Sequence, residues 1–231
     1  MSAAPRRVLV WDLPTRLCHW LLVAAIAGAM VTGQIGGNLM DWHGRCGIAI
    51  IGLVAFRLVW GLLGSTYARF AQFAPSKAAI TAYLRGEWKG LGHNPLGALS
   101  VLALLALAAL QAISGLFAND DIAFNGPLAQ LISKGSSNRL SGLHELSSNL
   151  IYLVVALHIG AIAFYARVKK DNLVKPMLTG WKETTEGEPA RGGGLAAFVV
   201  ALAVALGASF AASGAWIDEP PPPPPAAAPT W

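Results

Sequence analysis

Residues 143–173 read LHELSSNLIYLVVALHIGAIAFYARVKKDNL, and this stretch decides the fold class. Within it, His144–Tyr165 is a mostly apolar run, and crossing a bilayer takes about 20 such residues. His158 follows His144 by 14 positions. At about 100° per residue the two side chains share one helix face and lie about 21 Å apart along the axis. The stretch therefore predicts a transmembrane helix that carries one histidine near each membrane face.

Four further runs of similar length and composition occur in the chain. They are His19–Leu39, His43–Leu63, Gly97–Phe117 and Leu195–Ile217. Hydrophobic residues make up 55% of the sequence and charged residues 13%, whereas a soluble domain carries roughly a quarter charged residues. These values favour an all-α membrane protein. The first run can also be read as a signal peptide, but it is long, contains Gln34 and lacks an obvious small-residue cleavage site, so we expect it to remain as a helix.

The five predicted spans divide into a four-helix unit and one additional helix. We assign residues 1–182 to a four-helix transmembrane bundle, 183–194 to a charged, glycine-rich linker, and 195–217 to a fifth, C-terminal transmembrane helix. Residues 218–231 form a proline-rich tail, in which the consecutive prolines Pro220–Pro225 favour an extended polyproline stalk.

Almost all of the 17 lysines and arginines fall on one side of the membrane if the N-terminus lies in the cytoplasm. Only Arg45, Lys134 and Arg139 fall on the other side. By the positive-inside rule we expect a multi-pass protein of a bacterial inner membrane, surrounded by lipid, with a cytoplasmic N-terminus and a periplasmic C-terminus. The net charge of +5 reflects this arrangement. No basic stripe is interleaved with aromatic residues, so we expect no nucleic-acid partner.

Four histidines lie inside or at the edges of the predicted spans, where ionisable residues are costly and mark functional sites. They are His19, His43, His144 and His158. Depth in the membrane gives two pairs, His43 with His144 on the outer side and His19 with His158 on the inner side. Ligation of a haem iron by two histidines needs this arrangement, although each histidine alone can also serve as an interhelical hydrogen-bonding residue. The facing helices of a bundle are where such cofactors bind.

Other metal sites fit the pattern less well. Two layers of histidines this far apart cannot bind one zinc ion, and Ser148 stands where an H-E-x-x-H motif would need its second histidine. A C-x-x-C-H motif is absent, so a haem here is not covalently attached. The sequence therefore predicts two non-covalent haems.

Two arginines are candidates for binding the haem propionates, because a guanidinium can pair bidentately with a carboxylate. Arg57 follows His43 by 14 positions, on the same helix face at the inner depth, and Arg16 lies one turn before His19. For Arg57 the alternative is that its side chain extends to the inner membrane interface.

Five sequence segments resemble the prokaryotic cytochrome b-561 family, which includes the cytochrome b subunits of nickel-iron hydrogenases and related di-haem cytochromes. The segments are VWDLPTRLCHW (Val10–Trp20), DWHGRCG around His43, GHNPLGAL (Gly92–Leu99), LHELSSNLIYLVVALH (Leu143–His158) and KKDNL (Lys169–Leu173). The resemblance covers about residues 8–182. It implies a four-helix bundle with two b haems on His19, His43, His144 and His158. It makes His93 a non-ligand close to the inner haem.

The resemblance also implies a function, namely respiratory electron transport between a periplasmic redox partner and membrane quinone. The partner would be a c-type cytochrome or a dehydrogenase or hydrogenase, with the chain as an electron-carrying cytochrome subunit. Two alternatives stay open. One is a superoxide:quinone oxidoreductase, an enzyme, and the other is a non-redox membrane anchor subunit without haem.

Overall fold

The computed structural model describes residues 4, 6–122 and 124–218. Apart from Asp218, the predicted proline-rich tail lies outside the described residues. Five helices in this part are long and apolar enough to cross a membrane, which confirms the predicted all-α membrane fold. They are α1 (Leu13–Ile35), α2 (Met40–Leu63), α5 (Pro95–Leu116), α6 (Lys134–Phe164) and α8 (Gly194–Ser213).

Shorter elements connect the long helices. Three short helices are α3 (Phe70–Phe73), α4 (Lys77–Leu84) and α7 (Val174–Thr179), and two strands are β1 (Arg6–Leu9) and β2 (Trp181–Thr184). Single 3-10 turns occupy Gly37–Leu39, Thr66–Ala68 and Ala129–Leu131, and α6 continues as a π-helical turn over Tyr165–Lys169. We call the end of the bundle that carries β1 the inner end and the opposite end the outer end.

Polar caps set where the long helices begin. Asp12 accepts a hydrogen bond of 2.7 Å from the Thr15 backbone N–H at the start of α1, and Asn94 accepts one of 2.7 Å from Gly97 at the start of α5. Ser133 caps α6 in the same way through the Ser136 N–H, at 3.2 Å. As a result α1 and α6 begin several residues before the predicted spans, because their first turns are too polar for a hydropathy pattern to include them.

The α2 helix is central to the packing. It contacts α1, α5 and α8, and α5 in turn contacts α6. One apolar cluster joins α1, α2 and α8 at the inner end, and a second joins α2 to α5. Gly52 allows α8 to approach closely, because a Cβ atom there would collide with Ser209 Oγ and lie 3.2 Å from the Ala205 carbonyl oxygen. The fifth helix is thus packed against the four-helix unit.

A two-stranded antiparallel sheet ties the chain together at the inner end. β1 pairs with β2, with Arg6 opposite Thr184 and Leu9 opposite Trp181. The predicted linker, residues 183–194, overlaps the end of β2 and is held by further hydrogen bonds. Ala190 donates its N–H to the Leu9 carbonyl at 2.7 Å, and Thr66 donates to the Arg191 carbonyl at 2.8 Å. The start of α1, the end of α2 and the start of α8 are thereby fixed relative to one another.

Candidate functional site

The structure brings His43 of α2 and His144 of α6 together at the outer end. Their ring centroids lie 5.9 Å apart and the ring planes are nearly perpendicular, at 84°. Two imidazoles that each place a nitrogen about 2 Å from one metal ion have centroids about 6 Å apart. The spacing of this outer pair therefore fits two histidines that would bind one metal ion.

Hydrogen bonds orient both rings of the outer pair. His43 Nδ1 lies 2.9 Å from the Ala29 carbonyl oxygen, and His144 Nδ1 lies 2.9 Å from the Gln111 carbonyl oxygen. A carbonyl can only accept, so both Nδ1 atoms carry the proton. Metal-binding histidines characteristically donate their second ring N–H in this way, which leaves Nε2 for the metal.

A glycine makes room for each ring. Gly33 lies one turn after Ala29 in α1, and Gly115 lies one turn after Gln111 in α5. A Cβ atom at Gly33 would lie 2.9 Å from His43 Nδ1, and one at Gly115 would lie 2.8 Å from His144 Cε1. Each histidine therefore docks in a notch made by a backbone carbonyl and the glycine one turn further along.

Both rings border a cavity of about 610 Å³ between α1, α2, α5 and α6, a size typical of sites for organic ligands. Its deep walls are apolar and include Ile26, Ile50, Ala108 and Ile151. Its mouth is polar, with Asn119, Asp120, Asn138, Ser141 and Glu145. In the described part of the chain, no lysine or arginine lines it. These apolar walls suit an apolar macrocycle.

Gln111 is a site residue that sequence analysis missed. Its Nε2 atom lies 3.1 Å from His144 Nε2, and its Oε1 accepts a hydrogen bond from Ser147. The amide therefore occupies the lone pair that would bind an iron, and a metal at this position must displace it. The signal was present, because Gln111 is a long polar residue within an otherwise apolar predicted span.

The predicted inner pair, His19 of α1 and His158 of α6, also lies together, close enough for the two rings to interact electrostatically. His19 Nδ1 is buried and has no hydrogen-bond partner among the described residues. His158 Nδ1 lies 3.4 Å from Ser100 Oγ. The buried, unpaired nitrogen of His19 fits a ligand that the protein chain itself does not supply.

Arg57 is buried, with only 6% of its surface exposed. Its guanidinium carbon lies 4.8 Å from the centroid of the Phe70 ring, and its Nη1 atom has no hydrogen-bond partner in the described part. Arg16 instead donates a hydrogen bond of 2.5 Å to the Leu178 carbonyl, while its buried Nε is unpaired. Both arginines remain predictions as partners of haem propionates.

His93 lies beside the inner pair, just before α5. Its ring packs between Trp11 and Phe73, with centroid distances of 4.6 Å to each. Burial, together with the charges of Arg57, His19 and His158, lowers the pKa of His93 to about 3. The ring is therefore neutral at physiological pH. Its buried Nδ1 atom has no partner among the described residues.

No group of three or more metal-binding side chains that could hold a metal ion occurs among residues 4, 6–122 and 124–218. The candidate ligands form two pairs, and a pair of histidines suits the two axial positions of a haem iron.

Comparison with known proteins identifies a family. The family model described as prokaryotic cytochrome b561 matches residues 10–180, which span the four-helix unit and so include α1, α2 and α6, the three helices that carry the histidine pairs. The match ends before α8. No curated protein matches the chain, and no solved structure matches it.

Proposed function

We propose a function for this chain, which belongs to the prokaryotic cytochrome b561 family. It carries electrons across a bacterial inner membrane through two b haems. His43 and His144 hold the outer haem, and His19 and His158 hold the inner one. The observation that supports this most directly is the outer pair, with ring centroids 5.9 Å apart and both Nδ1 atoms bonded to backbone carbonyls.

A haem bound at each pair supplies a one-electron carrier. Two histidines at each site would hold the iron and leave no position for oxygen, which would favour electron transfer over oxygen binding. The protein holds the two sites at a fixed separation, since His144 and His158 lie about 21 Å apart along α6. The apolar walls around the outer pair exclude water from its deep side.

The terminal partners of this proposal are a periplasmic redox protein, such as a c-type cytochrome, dehydrogenase or hydrogenase, and membrane quinone. The acidic residues Asp120 and Glu145 line the outer cavity, and Lys134 lies beside it with its Nζ atom 2.6 Å from Asn119 Oδ1, so groups of both signs are available to a docking partner. The two acidic residues in the lining disfavour superoxide as the substrate, since they repel an anion.

The experiment is a dithionite-reduced minus oxidised absorbance spectrum of the purified protein, with the haem quantified as the pyridine haemochrome. We expect two b haems per chain. Replacing His43 or His144 with leucine removes the outer haem, and replacing His19 or His158 removes the inner one.

Double variants sharpen this assignment. The pair His43→Leu with His144→Leu should lose no more haem than either single variant, whereas His43→Leu with His158→Leu should lose both haems. Protein without haem, isolated from haem-replete cells, would contradict the proposal and favour the non-redox anchor.

A further inference from the structure

Two buried nitrogen atoms at the inner end of the bundle lack any partner in the described part of the chain. They are Nη1 of Arg57 and Nδ1 of His93. Arg57 packs on Phe70, the Phe70 ring contacts Phe73 at 5.8 Å, and Phe73 contacts His93 at 4.6 Å, so the two nitrogens belong to one cluster. A buried N–H group without an acceptor is costly, and the cost is larger when the group is charged. The protein keeps both side chains in place through aromatic packing, Arg57 against Phe70 and His93 between Trp11 and Phe73.

The acidic side chain of Asp12 does not fill this need. Asp12 interacts with Arg57 electrostatically, but its two oxygens serve other donors. Oδ1 accepts from the Thr15 backbone N–H at 2.7 Å, and Oδ2 accepts from Trp60 Nε1 at 3.0 Å. Among the described residues, the acidic groups that form salt bridges do so with Lys134, Lys175, Lys182 and Arg191 and not with Arg57.

We propose that Arg57 and His93 form a carboxylate-binding site and that its occupant is a propionate of the inner haem. This inference rests on the proposed function, because it takes the inner haem as bound between His19 and His158. Both histidines interact electrostatically with His93, which places the site next to the inner pair. The guanidinium supplies a charge-assisted hydrogen bond to a carboxylate, and an imidazole N–H of His93 supplies a second donor.

The site explains a difference between the two ends of the bundle. The outer pair is fixed by hydrogen bonds to backbone carbonyls, and no described cation lines its cavity. At the inner pair, His19 Nδ1 lacks such a bond, whereas a buried arginine lies close by. The inner haem is therefore held through its carboxylate as well as through its iron, and its charge environment is more positive.

The test is a potentiometric titration of the purified protein in phosphate-free buffer, with the inner haem identified as the absorbance wave lost in His158→Leu. Arg57→Gln removes a positive charge that favours the reduced haem. We expect it to lower the midpoint potential of the inner haem by about 59 mV or more, a tenfold change for one electron. Arg57→Lys keeps the charge and should recover most of the potential.

His93 is tested by haem retention. His93→Phe keeps an aromatic ring between Trp11 and Phe73 but removes both ring nitrogens, so we expect at least about tenfold faster loss of the inner haem to a haem acceptor. His93→Gln restores an N–H donor and should slow that loss. The control is Arg191→Gln, because Arg191 is a cation at the same end that already pairs with Glu188 at 3.0 Å. It should change neither quantity.

Three outcomes are decisive. The inference would be overturned if the midpoint potential of the inner haem is unchanged in Arg57→Gln and the rate of haem loss is unchanged in His93→Phe. If the protein still binds two haems in that case, the proposed function stands. A wild-type protein without haem would remove the proposed function itself. The site is equally suited to a phosphate oxyanion, from solution or from a lipid headgroup. The propionate would be overturned as the occupant if inorganic phosphate or phosphatidylglycerol shifts the midpoint potential of the wild-type inner haem but does not shift that of Arg57→Gln.

Discussion

The glycines at positions 33 and 115 determine how closely the outer histidines approach the neighbouring helices. Gly33→Ala or Gly115→Ala places a methyl group within 3 Å of the His43 or His144 ring, so the ring must move away from its carbonyl partner. We expect at least about tenfold weaker binding of the outer haem, a loss of roughly 1.4 kcal/mol. The measurement is haem content per chain, with the outer haem identified through His43→Leu.

Gly160→Ala is the matched control, because a Cβ atom at this position of α6 meets nothing within 4 Å. It should keep both haems. If Gly33→Ala and Gly115→Ala also keep a fully occupied outer site with an unchanged spectrum, the glycine notches do not position the ligands.

Gln111 contributes to the outer site in a different way. Its side chain bonds Ser147 and lies against His144 Nε2, so it satisfies these groups when no metal is bound. We expect Gln111→Leu to destabilise the haem-free protein by about 1–2 kcal/mol, since buried polar groups then lose a partner. Haem affinity should not fall, because the amide competes with the iron. Thermal unfolding of the haem-free protein and haem titration measure the two effects. The control is Gln34→Leu, which also alters the cavity wall. If Gln111→Leu binds haem more weakly than Gln34→Leu does, Gln111 does not compete with the iron.

At the residue scale the sequence was sufficient for some features and not for others. Helical periodicity and membrane depth predicted that His43 would meet His144 and that His19 would meet His158, and the structure places both pairs together. Whether these pairs bind haem iron stays a prediction. The roles of Gly33 and Gln111 depend on which helix lies against which, and a single sequence does not contain that information.

At the scale of the element, the fifth helix lies outside the residues that match the family, yet it packs directly on α2. Gly52→Val puts a branched side chain against Ser209 and Ala205 of α8. We expect a destabilisation of about 1–3 kcal/mol from overpacking. The unfolding midpoint would fall by several degrees, since about 1 kcal/mol corresponds to about 2–4 °C for a chain of this size.

Haem content should be unchanged in Gly52→Val, because no residue of α8 lines the outer cavity in the described part. Gly207→Val serves as the control, since Gly207 lies on α8 and a Cβ atom there would meet nothing within 4 Å. Thermal unfolding followed by haem absorbance compares the two. Equal midpoints would show that the close contact at Gly52 does not hold α8.

Helix existence was predictable and helix limits were not. Each of the five apolar runs lies within or overlaps one long helix. The limits of α1 and α6 depend on Asp12 and Ser133, whose side chains cap the first turn, and a hydropathy pattern does not register a cap. The sheet between β1 and β2 joins residues far apart in the chain, and neither strand is long enough to show an alternating pattern.

At the scale of the whole molecule, most of the positive charge and the two-stranded sheet lie at one end of the bundle, and only Arg45, Lys134 and Arg139 lie toward the other. We propose that the sheet end faces the cytoplasm. Alkaline phosphatase is active only when exported, so it reports the side of each loop. Fusions after Ile122 and Trp231 should be active, and fusions after Gly90 and Gly187 should be inactive, at equal expression by immunoblot.

The orientation decides which partner each haem can reach. With the sheet end in the cytoplasm, His43 and His144 lie near the periplasm, and the proposed periplasmic redox protein would dock at the cavity mouth lined by Asp120 and Glu145. The inverted pattern of fusion activities would place this mouth in the cytoplasm and the buried Arg57 near the periplasm. That result would exclude a periplasmic donor or acceptor at the outer pair. His144 and His158 lie about 21 Å apart, so most of the membrane's hydrocarbon core would separate the outer pair from the periplasm.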